Sequence, residues 1–116
     1  MLITVDPSAA QPLFEQLAAS VRSSILTGAV SAGERLPSAR DLAESLEVNV
    51  HTVLHAYQVL RDEGFIELRR GRGAVVASRA GDYAQLARDI DRVVAEARRL
   101  DLGPTALTAL IRKAYS

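Results

Sequence analysis

Two imidazoles four residues apart, His51 and His55, and a run of arginines at 69, 70, 72 and 79 with no acid among them are the groups with the most evident chemistry in this 116-residue chain. Residues four apart share a helix face. Two such histidines could hold a metal between them, or offer ring N–H donors and ring-nitrogen acceptors to base edges in a DNA groove. Glu47 is the nearest third ligand for a metal, and the chain has no further histidine. Guanidinium groups match phosphate oxygens in a two-pronged geometry. Gly71 and Gly73 interleave Arg70 and Arg72, a composition that carries arginines on a turn and suits following a duplex backbone into a minor groove. The plainer reading of the same residues is a solvated turn.

Catalysis finds no support. The chain has no Cys, which removes disulfides, thiolate metal sites and cysteine nucleophiles together. No Gly-rich phosphate loop follows a strand, and no nucleophile sits in a known motif. No catalytic residue, cofactor or metal site is therefore assigned. The length suits one ordinary domain, and 48% hydrophobic residues, with 19 alanines among them, allow a helical core. No apolar run approaches the ~18 residues of a membrane span, and no signal-peptide pattern opens the chain. The expected location is the cytoplasm. Net charge is zero, 14 basic against 14 acidic side chains. A nucleic-acid contact must then come from local placement of charge rather than a bulk positive field.

Leu2-Ile3-Thr4-Val5 predicts a short strand ended by Asp6-Pro7. Leu13, Leu17, Val21 and Ile25 recur every fourth residue and predict a helix with Pro12 in its first turn, closed near Gly28. Ala29 to Leu36 reads as a loop. Ser38 with Asp41 three residues on is a variant capping box for a short helix carrying Arg40, Leu42, Ala43 and Leu46. Arg40 could reach a phosphate or a base; its alternative partner is Glu44, an ion pair of a few tenths of a kcal/mol. Asn49 is a good N-cap for a third helix running to about Glu63. Phe65–Leu68 and Ala74–Ala77 predict a hairpin around the Arg69–Gly73 turn. Tyr83, Leu86, Ile90, Val93, Val94, Ala97 and Leu100 form one apolar stripe on a long helix over 82–101, and Leu107, Leu110 and Ile111 another on a helix over 105–114.

A short helix, a tight turn, a longer helix and a hairpin make a winged helix-turn-helix. At about 100° per residue the third helix gathers Val53, Ala56, Tyr57 and Leu60 on one side. His51, His55 and Gln58 fall opposite, flanked by Thr52 and Leu54. The expected class is mainly α with a small β wing: residues 1–79 form a winged helix-turn-helix, and 80–116 a short helical dimerisation segment.

The runs Leu36-Pro37-Ser38-Ala39-Arg40-Asp41-Leu42-Ala43, Asn49-Val50-His51-Thr52-Val53-Leu54-His55-Ala56-Tyr57, Gly64-Phe65-Ile66 and Arg70-Gly71-Arg72-Gly73 resemble the GntR family of bacterial winged-helix transcription regulators. The opening strand, the Asn-x-x-Thr-Val-x-x-Ala-Tyr pattern over 49–57 and the brief carboxyl-terminal tail look like the YtrA subfamily, whose two helices after the wing serve dimerisation. The resemblance implies DNA contact by Arg40, Asn49, His51, Thr52 and His55 and by the wing at Arg70, Gly71 and Arg72; Ser38 joins this set from the neighbouring cap. Many relatives outside the subfamily have arginines where Val50 and Leu54 stand, so direct guanine reading from those positions is lost. Leu54 could instead meet a thymine methyl.

The expected function is a sequence-specific regulator of transcription, a homodimeric repressor on double-stranded DNA with a palindromic operator. Tyr83, Leu86, Ile90, Val93, Val94, Ala97, Leu107, Leu110 and Ile111 are its expected dimer contacts; the alternative is a helix folded back on the first helix. A buried pocket of ~300 Å³ does not fit within so short a tail, and any small-molecule effector, of unknown identity, would sit between chains. The rival function is a winged-helix module that binds protein rather than DNA.

Overall fold

The computed structural model describes residues 3–116. Five helices and two strands follow in the order α1 (Leu13–Leu26), α2 (Ala39–Leu46), α3 (Val50–Asp62), β1 (Ile66–Arg69), β2 (Gly73–Val76), α4 (Ala80–Arg99) and α5 (Pro104–Ala114). The chain divides into two compact units, Met1–Ala84 and Gln85–Ser116, and the division falls inside α4 rather than at its start.

In the first unit the apolar periodicity does what its spacing demands. Leu17, Val21 and Ile25 of α1 meet Val53, Ala56, Tyr57 and Leu60 of α3, and Leu42 and Ala43 of α2 close the same core with Ile66, Ala74 and Val76 of the hairpin. Both helix-turn-helix caps form: Ser38 Oγ accepts from the Asp41 N–H, and Asn49 Oδ1 from the His51 N–H at 2.8 Å. Between them α2 ends in a left-handed residue, Glu47 at φ 57°, and the Val48 N–H returns to the Ala43 carbonyl at 3.0 Å. That hydrogen-bonded ending closes α2 tightly enough for α3 to begin at Val50. α3 ends in the same way at Gly64, whose φ of 85° a side chain would strain, with the Phe65 N–H on the Leu60 carbonyl.

The hairpin is antiparallel, in the register Ile66↔Val76, Glu67↔Val75, Leu68↔Ala74 and Arg69↔Gly73. Its other edge is also occupied. The Gly33 and Leu36 N–H groups donate to the Val76 and Ala74 carbonyls, Val76 N–H donates to Glu34, and Arg35 bridges Val75. The 29–36 segment expected to be a plain loop thus supplies the wing's third, short rung. Its partner lies some forty residues away, so no local pattern announces the pairing.

The expected amino-terminal strand does not form. Leu2 lies outside the described residues, and Ile3, Thr4 and Val5 have no ladder partner. A strand needs a neighbour for its backbone groups; Ile3 instead packs onto the hydrophobic core. Gln16, on α1, holds the following segment: its Oε1 accepts from the Asp6 N–H at 2.7 Å while its Nε2 donates to the Asp6 and Gln11 carbonyls.

In the second unit α4 closes on Asp101 at φ 56°, with the Leu102 N–H on the Ala97 carbonyl at 2.8 Å. Pro104 opens α5, where its missing N–H costs nothing. The apolar stripe is largely uncovered: Leu86, Ile90, Val93, Leu110 and Ile111 are all exposed, as are Leu100 and Tyr115. Two of the residues expected at a dimer contact also pack within the chain. Tyr83 packs on the first unit's core, its ring 5.4 Å from that of Phe65, and Ala97 is buried. Val94 and Leu107 are half-buried. Val93, Ala97, Leu100, Leu102, Leu107 and Leu110 line a groove of about 540 Å³ between α4 and α5, large enough for a small molecule but open to solvent. No helix among the described residues is long and apolar enough to cross a membrane.

Tyr57 ties the core to the helix-turn-helix. Only 3% exposed, it donates its hydroxyl to the Pro37 carbonyl at 2.7 Å, and burial pushes the phenol up from 10.0 to about 12. A phenol that holds its proton more tightly folded than unfolded supports the fold fully below pH 10 and loses that support as pH rises toward 12. Urea denaturation should show stability falling by up to about 2–3 kcal/mol across that window. Tyr57→Phe should cost about 1–2 kcal/mol at pH 7, by leaving the Pro37 carbonyl unpaired, and should flatten the alkaline decline.

Candidate nucleic-acid interface

α3 is two-sided. Val53, Ala56, Tyr57 and Leu60 are 0–3% exposed, while His51, Leu54, His55 and Gln58 face solvent and Thr52 is half-buried. The buried side fixes the helix, and the bare side is what a partner would meet. Neither imidazole is enclosed, although one face of the His55 ring is covered by Phe14, with ring centroids 3.8 Å apart and planes inclined by 16°.

The expected contact residues fall around two recesses that flank α3. Asn49, His51, Thr52 and His55 line the first, together with Leu13 and Phe14 from the start of α1. Ser38 and Arg70 line the second, between the start of α2, α3 and the wing, in company with Leu54, Tyr57, Leu68 and Arg69. Arg40, Gly71 and Arg72 line neither, and all three are exposed. No carboxylate lines either recess, so a chain of zero net charge still presents two acid-free recesses beside this helix.

The cations sort by partner. Arg69 is held by Glu67, its Nε 2.8 Å from the carboxylate. Among the described residues no carboxylate lies within ion-pair distance of Arg40, Arg70 or Arg72. The Arg40–Glu44 pair that the i, i+4 spacing allows does not form. The wing tip turns through the Arg72 N–H on the Arg69 carbonyl at 3.0 Å, and Gly71 at φ 80° is where that turn needs a residue without a side chain. Arg70 and Arg72 therefore flank the apex with their guanidinium groups unpaired. No third His, Asp or Glu among the described residues joins His51 and His55 in a set that could hold a metal ion.

Ser38 and Asn49 carry a dual burden. Each spends a side-chain oxygen as a cap acceptor, which leaves the Ser38 hydroxyl proton and the Asn49 amide N–H groups to face outward. Three nearby residues escape a reading of the sequence alone. Phe14 looks like core by its spacing, and Leu68 looks like an ordinary strand residue, yet it is 42% exposed beside Leu54. Arg35 sits on the wing's third rung only because of a long-range pairing.

The profile of bacterial regulatory proteins of the gntR family matches residues 13–76, a span that takes in α1, both helices of the helix-turn-helix and the wing. The HTH-type transcriptional repressor YtrA of Bacillus subtilis is 38% identical over 79 residues, which cover 68% of this chain and 61% of that protein. The HTH-type transcriptional regulator Rv1152 of Mycobacterium tuberculosis is 35% identical over 84% of this chain and 88% of its own length. Among solved structures, YtrA from Sulfolobus acidocaldarius, a GntR-family transcription factor, superposes with a TM-score of 0.63 at 36% identity, covering 82% of this chain and 99% of that one. With the winged helix-turn-helix and its bare α3 flank in place, the chain belongs to the GntR family of bacterial regulatory proteins, on its YtrA-like side, and is a DNA-binding regulator of transcription.

Proposed function

We propose that the chain acts in the cytoplasm as a homodimeric repressor, occupying an inverted-repeat operator and blocking transcription by its presence there. The amino-terminal half of α3 enters the major groove, where base edges differ in their donor and acceptor pattern. The wing follows the backbone with Arg70 and Arg72, and Arg40 and the Ser38 hydroxyl contact phosphates. His51, Thr52 and the Asn49 amide read bases, with His55 beside them.

The two-sidedness of α3 carries this reading: one flank is locked in the core and the other is bare, with no carboxylate lining the two recesses beside it and the unpaired Arg70 in one of them. The exposed apolar residues of α4 and α5 support the dimer, because two weak half-site contacts joined in one molecule bind far more tightly than one. A two-fold dimer meets half-sites about one helical turn, ~34 Å, apart.

Selection from a random duplex pool should recover an inverted repeat. Against that duplex, Arg72→Ala should weaken binding to all sequences alike and lower the salt slope by about one counterion. His51→Ala should instead alter which base is preferred at one position, by about 1–3 kcal/mol. If the chain retards no duplex even at low salt, the proposal fails, and that outcome is the one expected of a protein-binding module.

The dimer is tested separately. Leu110→Glu should give a folded monomer in sedimentation equilibrium, with operator affinity lower by about a hundredfold or more. An unchanged dimer would move the interface away from α5.

A further inference from the structure

We infer that Phe14 is a positioning residue for DNA recognition, acting through the imidazole of His55. The inference rests on the DNA-binding reading above and adds α1 to the recognition surface. Phe14 stands on the first turn of α1, half-buried and packed on the hydrophobic core. From there its ring lies almost parallel to that of His55, 3.8 Å away. A stack this close takes up one face of the imidazole. The free face and the ring edge, which carries both nitrogens, remain.

Nothing else holds His55. Among the described residues its side chain takes part in no hydrogen bond and no ion pair, and no carboxylate lines the recess it shares with Asn49, His51 and Thr52. An exposed imidazole without such a partner samples several rotamers and must be ordered when DNA binds. Stacking on a ring that is itself anchored in the core removes that cost beforehand. The donor and acceptor of His55 are left unspent and set in one plane beside the Asn49–Thr52 edge. Phe14 needs no contact with DNA for this; it acts by restricting the residue that makes one.

The test compares the parent chain with Phe14→Leu, Phe14→Tyr, His55→Ala and the Phe14→Leu/His55→Ala double variant on a duplex selected by the parent. Thermal melting first establishes that each is folded. Phe14→Leu should bind about three- to tenfold more weakly, in line with the strength of an aromatic pair. Phe14→Tyr, which keeps the stack, should restore parental affinity. The double variant should bind no more weakly than His55→Ala alone, because Phe14 has nothing left to position. In proton NMR without DNA, the His55 ring signals should lose their ring-current displacement in Phe14→Leu and keep it in Phe14→Tyr.

A folded Phe14→Leu chain that binds like the parent overturns the inference, as do losses that simply multiply in the double variant. If His55→Ala binds normally while the parent still selects its duplex, the inference falls and the DNA-binding reading stands. If the parent selects no duplex, both fall together.

Discussion

One helix has to be gripped on one flank and left bare on the other, and everything else in the first unit follows from that constraint. Val53, Ala56, Tyr57 and Leu60 supply the grip at 0–3% exposure, against α1, α2 and the hairpin. A lost methylene on that flank is felt as a shift of the helix, because close-packed cores do not absorb gaps. The bare flank can then present side chains whose positions are set by a core they do not enter. Tyr57 joins the two tasks: its ring belongs to the core, and its hydroxyl holds the Pro37 carbonyl at the entrance to α2. Arg22 on Glu63, at 2.6 Å, links α1 to the far end of α3, but this pair is partly exposed and contributes little beside the buried contacts.

The polar groups around α3 share a chemical bias that net charge conceals. Capping consumes the side-chain oxygens of Ser38 and Asn49, so what these residues turn outward is N–H and O–H. Arg40, Arg70 and Arg72 can only donate. Glu67, the acid nearest the wing tip in sequence, is spent on Arg69. The result is a surface of donors, and phosphate oxygens, guanine O6 and N7, and thymine O4 are all acceptors. Zero formal charge over the chain and a donor-rich face are compatible because no carboxylate lines the two recesses beside α3, although nine of the fourteen acids lie in residues 1–80. Burial of charge plays no part in this arrangement, since no polar or charged residue among those described is buried.

Local rules made much of this legible in the residues. Period-four leucines, a serine three residues before an aspartate, an asparagine before an apolar-periodic run and paired glycines between two β-rich runs placed all five helices and the hairpin within a few residues. Each is a short-range effect, decided by neighbours along the chain. What stayed hidden depends on distant partners. Leu2–Val5 has strand composition but no strand beside it, whereas Gly33–Leu36 has loop composition and a free edge of β2 to pair with. Phe14 reads as one more core position until His55, forty-one residues on, is seen against it. Tyr83 belongs to the apolar stripe of α4 by spacing, yet Phe65 and the first unit's core claim it.

The same one-sided patterning that makes α3 readable has a different outcome in α4 and α5. There the apolar stripe is as regular, but the second unit holds only two helices, and Leu86, Ile90, Val93, Leu110 and Ile111 keep 44–57% of their surface exposed. Segments below ~40 residues rarely bury enough surface to stand alone without disulfides, metals or oligomerisation. This chain has no cysteine, so the first route is closed. Isolated apolar residues on a surface need no explanation, but a contiguous stripe rimmed by the salt-bridged Asp89, Arg92, Glu96 and Arg99 has the layout of an interface, apolar at its centre and polar at its edge. In the proposed dimer a two-fold contact would have the same patch serve both copies. The proposed dimer would meet two needs at once: it would cover the apolar face of α4 and α5, and it would set a second recognition helix beside the first on an operator.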